Sequence, residues 1–542
     1  MKVRYLFIYF LMFFCLLGKA QSSSDSLPLA QESSFFKASI TTNSEGEKVF
    51  NPKRENIKIE SVSSGCNPSV EQSSLLWKFI LGFGGGLLAL LTPCVFPMIP
   101  MTVGYFTKRS KTPAEGRKNA VIYGLSIIGI YTGVGLFITA VFGPHVLNAI
   151  STSWITNLIF FIVLLFFSIS FFGFFEIVLP SSIANKADAQ VDKSKGYLGI
   201  FFMAMVLAVV SFSCTGPIIG TVLTLVATDP LGPAAVMLGF STALALPFSL
   251  FAYFPGWLQN LPKSGGWMNS VKVVLGFLEL ALAFKFLSTA DLTQHWGILK
   301  YEAFLGIWVL IFLGLALYFL QVIKFPHDTK TRTFTPLNIS LGVGTLVLVG
   351  YFLMGFQKDV EHCTYKSPAL LSGLAPAGHY TIFPICSGKQ DCPIGLSCFR
   401  DYEAGLAEAR AKKKMIMIDF TGYGCVNCRK MEEHVWILPE IYNIIKDDVV
   451  LISLYVDDRA PLEETLLAMD GSKLRTKGSL WANFEETNFK QVSQPLYCLL
   501  SPDEQILTPP VGYTPDVNEY RAFFQCGFDQ LKKVCPDCKI HK

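Results

Sequence analysis

The sequence predicts a membrane all-α bundle of eight transmembrane helices, arranged as an inverted repeat and fused to a C-terminal α/β domain. Three observations carry that expectation: apolar runs of about 20 residues recur from Leu75 to Phe356, composition turns soluble beyond about residue 400, and basic residues crowd alternate loops. Of 542 residues, 51% are hydrophobic and 16% charged. Soluble proteins average about 25% charged, so a single water-soluble globule is excluded. The net charge of +4 is too balanced for a nucleic-acid partner; the lipid bilayer is the partner that the composition implies. Fourteen cysteines are many for a chain kept in a reducing compartment.

Taken in order, residues 1–20 read as a signal peptide. Lys2 and Arg4 precede the apolar run Tyr5–Leu17, and Gly18-Lys19-Ala20 offers small residues for cleavage. That run covers only about 20 Å as a helix, too short for a hydrocarbon core of ~30 Å. Residues 21–74 are Ser-rich, with one alternating stretch at Asn56–Val62 and a single cysteine, Cys66. An extracytoplasmic tether is expected there. Eight apolar runs follow within 75–356, near 75–105, 119–143, 155–180, 197–225, 232–256, 267–288, 301–322 and 337–356. Their odd-numbered loops hold twelve Lys and Arg residues, and the even-numbered loops hold only Lys300. The odd loops are therefore expected in the cytoplasm and both mature termini outside. Residues 357–399 form a Pro- and Gly-punctuated extracytoplasmic connector with Cys363, Cys386, Cys392 and Cys398. The soluble domain occupies 400–535, with strands at Met415–Phe420, Val449–Val456 and Leu496–Ser501, helices at Val426–Val435 and Val517–Lys533, and a tail at 536–542.

The chemistry-bearing segment of the soluble domain is Gly424-Cys425-Val426-Asn427-Cys428, which follows an apolar strand and opens a helix. At this spacing two sulfurs reach disulfide distance. The helix N-terminus stabilises a thiolate, which assigns attack to Cys425 and resolution of the mixed disulfide to Cys428. Half of a zinc site and a purely structural bridge are the competing readings. A zinc site needs a second ligand pair, which this strand–helix context disfavours.

Two further cysteines lie in apolar runs. Cys94 and Cys214 share a Cys-x-x-Pro pattern, ending at Pro97 and Pro217, and Pro93 precedes Cys94. Cys94 lies 17 residues after Trp77 and Cys214 lies 17 after Tyr197. In oppositely directed spans, that correspondence predicts the inverted repeat. Straight helices would hold the two sulfurs about 20 Å apart along the membrane normal. The prolines break or kink the helices, so the expectation is that both cysteines meet near the midplane.

Met415–Met431 resembles a thioredoxin-fold active-site segment. That resemblance makes Asp419 a buried proton-relaying carboxylate, Glu432 a second acidic residue beside the cysteine pair, and Pro495 the cis-proline that binds a partner's backbone. Asn427 stands where thioredoxins carry proline, so their potential does not transfer. Residues 75–535 as a whole resemble the DsbD family, with further signatures at Phe172–Glu176 and Leu261–Met268. The resemblance implies a bacterial inner-membrane protein with a periplasmic thioredoxin-like domain. It further implies electrons supplied by cytoplasmic thioredoxin, passed through Cys94/Cys214 to Cys425/Cys428, and on to periplasmic disulfide proteins, including cytochrome c maturation or disulfide isomerase partners. No cofactor would be bound, and NADPH would serve only through thioredoxin reductase. Family members begin with an immunoglobulin-like domain, for which the 21–74 segment is too short.

Disulfides are expected among the four connector cysteines, in any of three pairings. Cys498 and Cys526 are expected in the soluble core, and Cys535/Cys538 form a second CxxC in the tail. Glu176, Glu279 and Lys285 are ionisable residues at span ends or inside, where function or snorkelling places them. Two other functions compete: an extracytoplasmic thioredoxin-like reductase or isomerase on a passive bundle, and a metal or thiol-solute transporter with an accessory redox domain.

Overall fold

A computed structural model describes residues 40–42, 47–58, 74–90, 117–133, 135, 153–174, 201, 204–205, 232–253, 265–326, 328, 335–386 and 392–539. Cys94, Cys214, Pro93, Pro97 and Pro217 lie outside the described residues, as does the expected signal sequence.

The chain enters through two short antiparallel strands, β1 (Ile40–Thr42) and β2 (Lys48–Phe50). Helices then follow: α1 (Leu75–Leu90), α2 (117–133), α3 (Trp154–Phe171), α4 (Gly232–Tyr253), α5 (Gly265–Gln294), α6 (Tyr301–Phe319) and α7 (Pro336–Leu353). Four described segments are long and apolar enough to cross a membrane: Trp154–Phe171, Asn269–Gln294, Tyr301–Phe319 and Pro336–Phe356. Helices α1 and α4 touch backbone to backbone. A Cβ on Gly82 would fall 2.2 Å from the Val236 carbonyl oxygen, and one on Gly239 2.2 Å from that of Phe79. Such small-residue contact is how helices associate where lipid removes the hydrophobic drive. Helix α3 lies along α5, where Ser168 Oγ donates to the Gly276 carbonyl (2.8 Å). Helix α5 runs beyond its expected end near residue 288, because the Asp291 carboxylate is satisfied within the fold. It accepts the N–H groups of Ile298 (2.8 Å) and Leu299 (3.0 Å) and the Tyr380 hydroxyl (3.2 Å).

The connector folds onto this end of the bundle. Strands β3 (Lys358–Asp359) and β4 (Thr364–Tyr365) pair, and disulfides Cys363–Cys386 and Cys392–Cys398 select one of the three pairings. Glu302 of α6 accepts the Tyr365 hydroxyl and the Ile382 and Phe383 N–H groups.

The soluble domain opens one element earlier than expected. Strand β5 (Cys398–Phe399) pairs parallel with the later strand at Val449–Tyr455, so the connector's last residues belong to the sheet. Helix α8 (Tyr402–Lys412) is capped by Asp401, which accepts from Ala404 N–H (2.9 Å). Strand β6 (Met415–Thr421) is buried throughout, as a continuous apolar run in the middle of a sheet must be. Helix α9 (Val426–Met431) continues through a wider turn to Trp436. After helix α10 (Pro439–Asn443) come β7 (Val449–Tyr455), β8 (Pro461–Leu467), β9 (Lys473–Thr476), α11 (Lys477–Phe489), β10 (Leu496–Leu500) and α12 (Val517–Val534). The main sheet has the order β10-β6-β7-β5, with β10 antiparallel.

The structure corrects three expectations. Residues 40–42 and 47–58 are not a free tether. Strand β2 pairs with β8, extending a second sheet in the order β1-β2-β8-β9, and Phe50 (0% exposed) and Ile57 enter the core beside Leu466, Leu474 and Trp481. Burying those side chains repays ordering the segment. Cys526 is not a core thiol: it is half-buried and disulfide-bonded, whereas Cys498 is free and buried. The domain also extends past residue 535, since Cys535–Cys538 is a disulfide and Lys539 N–H donates to the Lys413 carbonyl (2.9 Å).

Candidate functional site

The reactive pair is built at the end of β6. The chain leaves the strand through Gly422-Tyr423-Gly424, a turn held from below by Asp457, whose carboxylate accepts the N–H groups of Tyr423 and Gly424 (both 2.8 Å). A Cβ on Gly422 would fall 2.2 Å from Gln494 Oε1. Cys425 caps α9, and its sulfur accepts the Cys428 N–H (3.1 Å). The two residues are joined as a disulfide with Cα atoms 5.3 Å apart. Cys425 is 9% exposed and Cys428 1%, so Cys425 is the more accessible sulfur. The Gln494–Pro495 peptide is cis and leads into β10.

Behind the pair lies a buried charge cluster. Asp419, on β6, accepts from Ser453 Oγ (3.1 Å). Burial pushes its carboxyl up to about 7, against the opposing pull of Ser453, Arg429 and Arg400. Burial likewise pushes Glu432 up to about 8, although Arg429 Nη2 donates to its Oε1 at 2.6 Å. Burial dominates in both because a low-dielectric site penalises the ionised form more than one partner restores. Two carboxyls that hold protons near neutral pH can supply one to a departing buried thiolate. Asp457 is pushed up to about 6 by burial, with its two backbone donors pulling the other way.

The connector and the end of α5 close over this face. His295 Nε2 meets Asp458 Oδ1 at 3.1 Å, and its ring sits edge-on to Tyr423 at 4.7 Å. Arg459 N–H donates to the Thr293 carbonyl (3.3 Å). Arg400 Nη1 donates to the Tyr423 hydroxyl (2.9 Å) and stacks over Tyr455. A cavity of about 250 Å³ separates the connector from α9, lined by Tyr365, Ser367, His379, Arg429, Glu432 and Glu433 among others. Burial, with Arg429 and Arg400 nearby, pushes His379 down to about 3, leaving a neutral imidazole.

Cys425, Cys428, Asp419 and Glu432 therefore lie around one centre, with the loop of Pro495 beside it. Sequence reasoning missed Asp457, Arg429 and Glu433. The signal for Asp457 was its place just beyond the C-terminal end of a buried strand, the edge where open α/β sheets carry their sites.

Residues 75–290 match the family model described as the cytochrome C biogenesis protein transmembrane domain, and residues 398–502 match a thioredoxin-like model. A membrane-embedded domain joined to a thioredoxin-like domain defines the class of protein. Among curated relatives, the thiol:disulfide interchange protein DsbD of Pseudomonas sp. (strain JR1 / K1) is 26% identical over 74% of this chain and 67% of its own length. DsbD 2 of Pseudomonas aeruginosa is 26% identical over 70% and 61%, and DsbD of Salmonella typhi 27% identical over 70% and 60%. Over these regions the chain is similar to DsbD proteins and carries their type of transmembrane domain, as a multi-pass membrane protein that spans roughly 60–67% of the length of these relatives.

Proposed function

We propose that the protein is a transmembrane protein-disulfide reductase of the bacterial inner membrane, with its thioredoxin-like domain in the periplasm. The observation that carries this reading is the Cys425–Cys428 disulfide at the mouth of α9, turned toward the connector and the His295 end of the membrane helices. In this reading eight spans form an inverted repeat that brings Cys94 and Cys214 together, aided by Pro93, Pro97 and Pro217. Cytoplasmic thioredoxin reduces that pair. One membrane thiolate then attacks the Cys425–Cys428 disulfide, and Cys428 leaves as a thiolate that takes a proton from the Asp419–Glu432 cluster. The second membrane thiol resolves the mixed disulfide, so two electrons and two protons reach the outer pair and Cys94–Cys214 is reoxidised. Cys425 next attacks a periplasmic client disulfide, and Cys428 releases the reduced client. Thiolate exchange alone balances each step; NADPH enters only upstream, through thioredoxin reductase.

The test is to replace Cys94 and Cys214 with Ala and trap the Cys425/Cys428 redox state in cells by rapid alkylation. The relay predicts that the outer pair accumulates oxidised. A pair that stays reduced would leave the membrane domain as a passive anchor.

A further inference from the structure

Lys285 is one of four ionisable residues on α5, with Lys272, Glu279 and Asp291, and the relay uses none of them. Its Nζ donates to the Gly373 carbonyl of the connector (3.0 Å), and it lies within electrostatic reach of Glu433 on the helix that follows Cys428. Gly373 is itself pressed against that helix. It adopts φ +73°, and a Cβ there would stand 2.5 Å from Val426 Cγ1 and 2.9 Å from the Val426 carbonyl oxygen. Val426 is the residue next to the nucleophile. The strip around it, Ser372 to Gly378, is made mostly of small side chains; Ala375 and Ala377 are buried. The strip therefore covers the residue beside Cys425.

We propose that Lys285 is a specificity-determining positioning residue. By holding the Gly373 carbonyl it keeps the connector closed on Val426, so that the docked domain can exchange only with the membrane domain and is shut to an extended, disulfide-bearing polypeptide. This rests on the relay reading for its purpose, but its geometry does not depend on where the electrons come from. Opening the strip exposes Cys425 without altering the chemistry of the pair. The charge of Lys285 matters because a hydrogen bond from an ammonium is stronger than a neutral one, and Arg at this position can replace it.

The experiment uses the full chain in lipid nanodiscs, its Cys425–Cys428 pair reduced chemically under conditions that leave Cys363–Cys386 and Cys392–Cys398 intact, and freed of reductant. Peptide-resolved mass spectrometry follows alkylation of Cys425, and of buried Cys498 as an internal monitor of the fold. Lys285→Met should speed alkylation of Cys425 about tenfold, as expected for loss of one charge-assisted hydrogen bond from the closed state. Lys285→Arg should restore the slow rate, and Gly373→Val, which drives the strip off Val426, should match Lys285→Met. Reduction of a synthetic disulfide peptide by the pre-reduced protein should rise in parallel. The proposal is overturned if neither Lys285→Met nor Gly373→Val accelerates Cys425 while Cys498 stays protected. It is equally overturned if the acceleration comes only with exposure of Cys498. Because the protein is reduced chemically, failure here is separate from failure of the relay, which the trapping experiment reads.

Discussion

At the scale of single residues, the buried carboxyls set the pH behaviour of the soluble domain. With Asp419 raised to about 7 and Glu432 to about 8, the folded domain keeps protons that the unfolded chain releases near pH 4. The native state therefore binds more protons, and stability falls as pH rises from about 4 through 7 to 8, then levels off. Asp419→Asn should flatten that slope and add on the order of 2 kcal/mol at pH 7.5. The measurement is site-resolved alkylation of Cys498 in denaturant at pH 5 and pH 8; equal slopes in both proteins would refute the assignment. Only part of this centre was legible in the sequence. The Cys-x-x-Cys spacing speaks for itself, whereas Asp419 and Glu432 stood out only by resemblance. Asp457 did not stand out at all, because its partners are backbone N–H groups 33 and 34 positions away and no side-chain pattern marks such a bond.

Among the elements, β6, β7, β10 and α12 could be read from apolar runs and helical periodicity, and their bounds agree with expectation to within a residue or two. Strand β8 could not. It sits outside the main sheet, and its residues Pro461–Leu467 are mostly exposed or half-buried and include two glutamates. The β1–β2 segment, an N-terminal arm on the second sheet, was equally hidden, since a three-residue strand shows no period and its partner lies far along the chain. The connector escaped because disulfides and side-chain bonds to Glu302 hold it, in place of any repeating pattern. The arm's value resides in Phe50. Phe50→Ala should destabilise the second sheet by about 3–5 kcal/mol, read as a lowered denaturation midpoint in the full chain. A change under 1 kcal/mol would mean that the arm merely rests on the surface.

Over the whole molecule, the sequence conveyed a membrane bundle with a soluble domain beside it, and the basic-residue count put the 295–300 loop on that domain's side. What it could not convey was that the two are seated on each other, because the contacts are single side chains such as His295, Asp458 and Tyr423 scattered over three segments. Asp458 reaches the membrane domain while its neighbour Asp457 holds the Cys425 turn, so docking and active-site geometry share one short loop. Asp458→Asn should lower the reduced fraction of Cys425/Cys428 in cells several-fold and leave Cys498 protection within about 0.5 kcal/mol of the parent. An unchanged redox state would show that this contact does not govern transfer.

The pairing of β2 with β8 also bears on how the protein is made. Lys48 meets Glu464 across 416 positions of chain, an interval of about 20–80 s at ordinary rates of synthesis. All the membrane helices emerge in that interval. Phe50 consequently waits, uncovered, until the last of them has been delivered, and the soluble domain is completed only after the membrane domain has been synthesised.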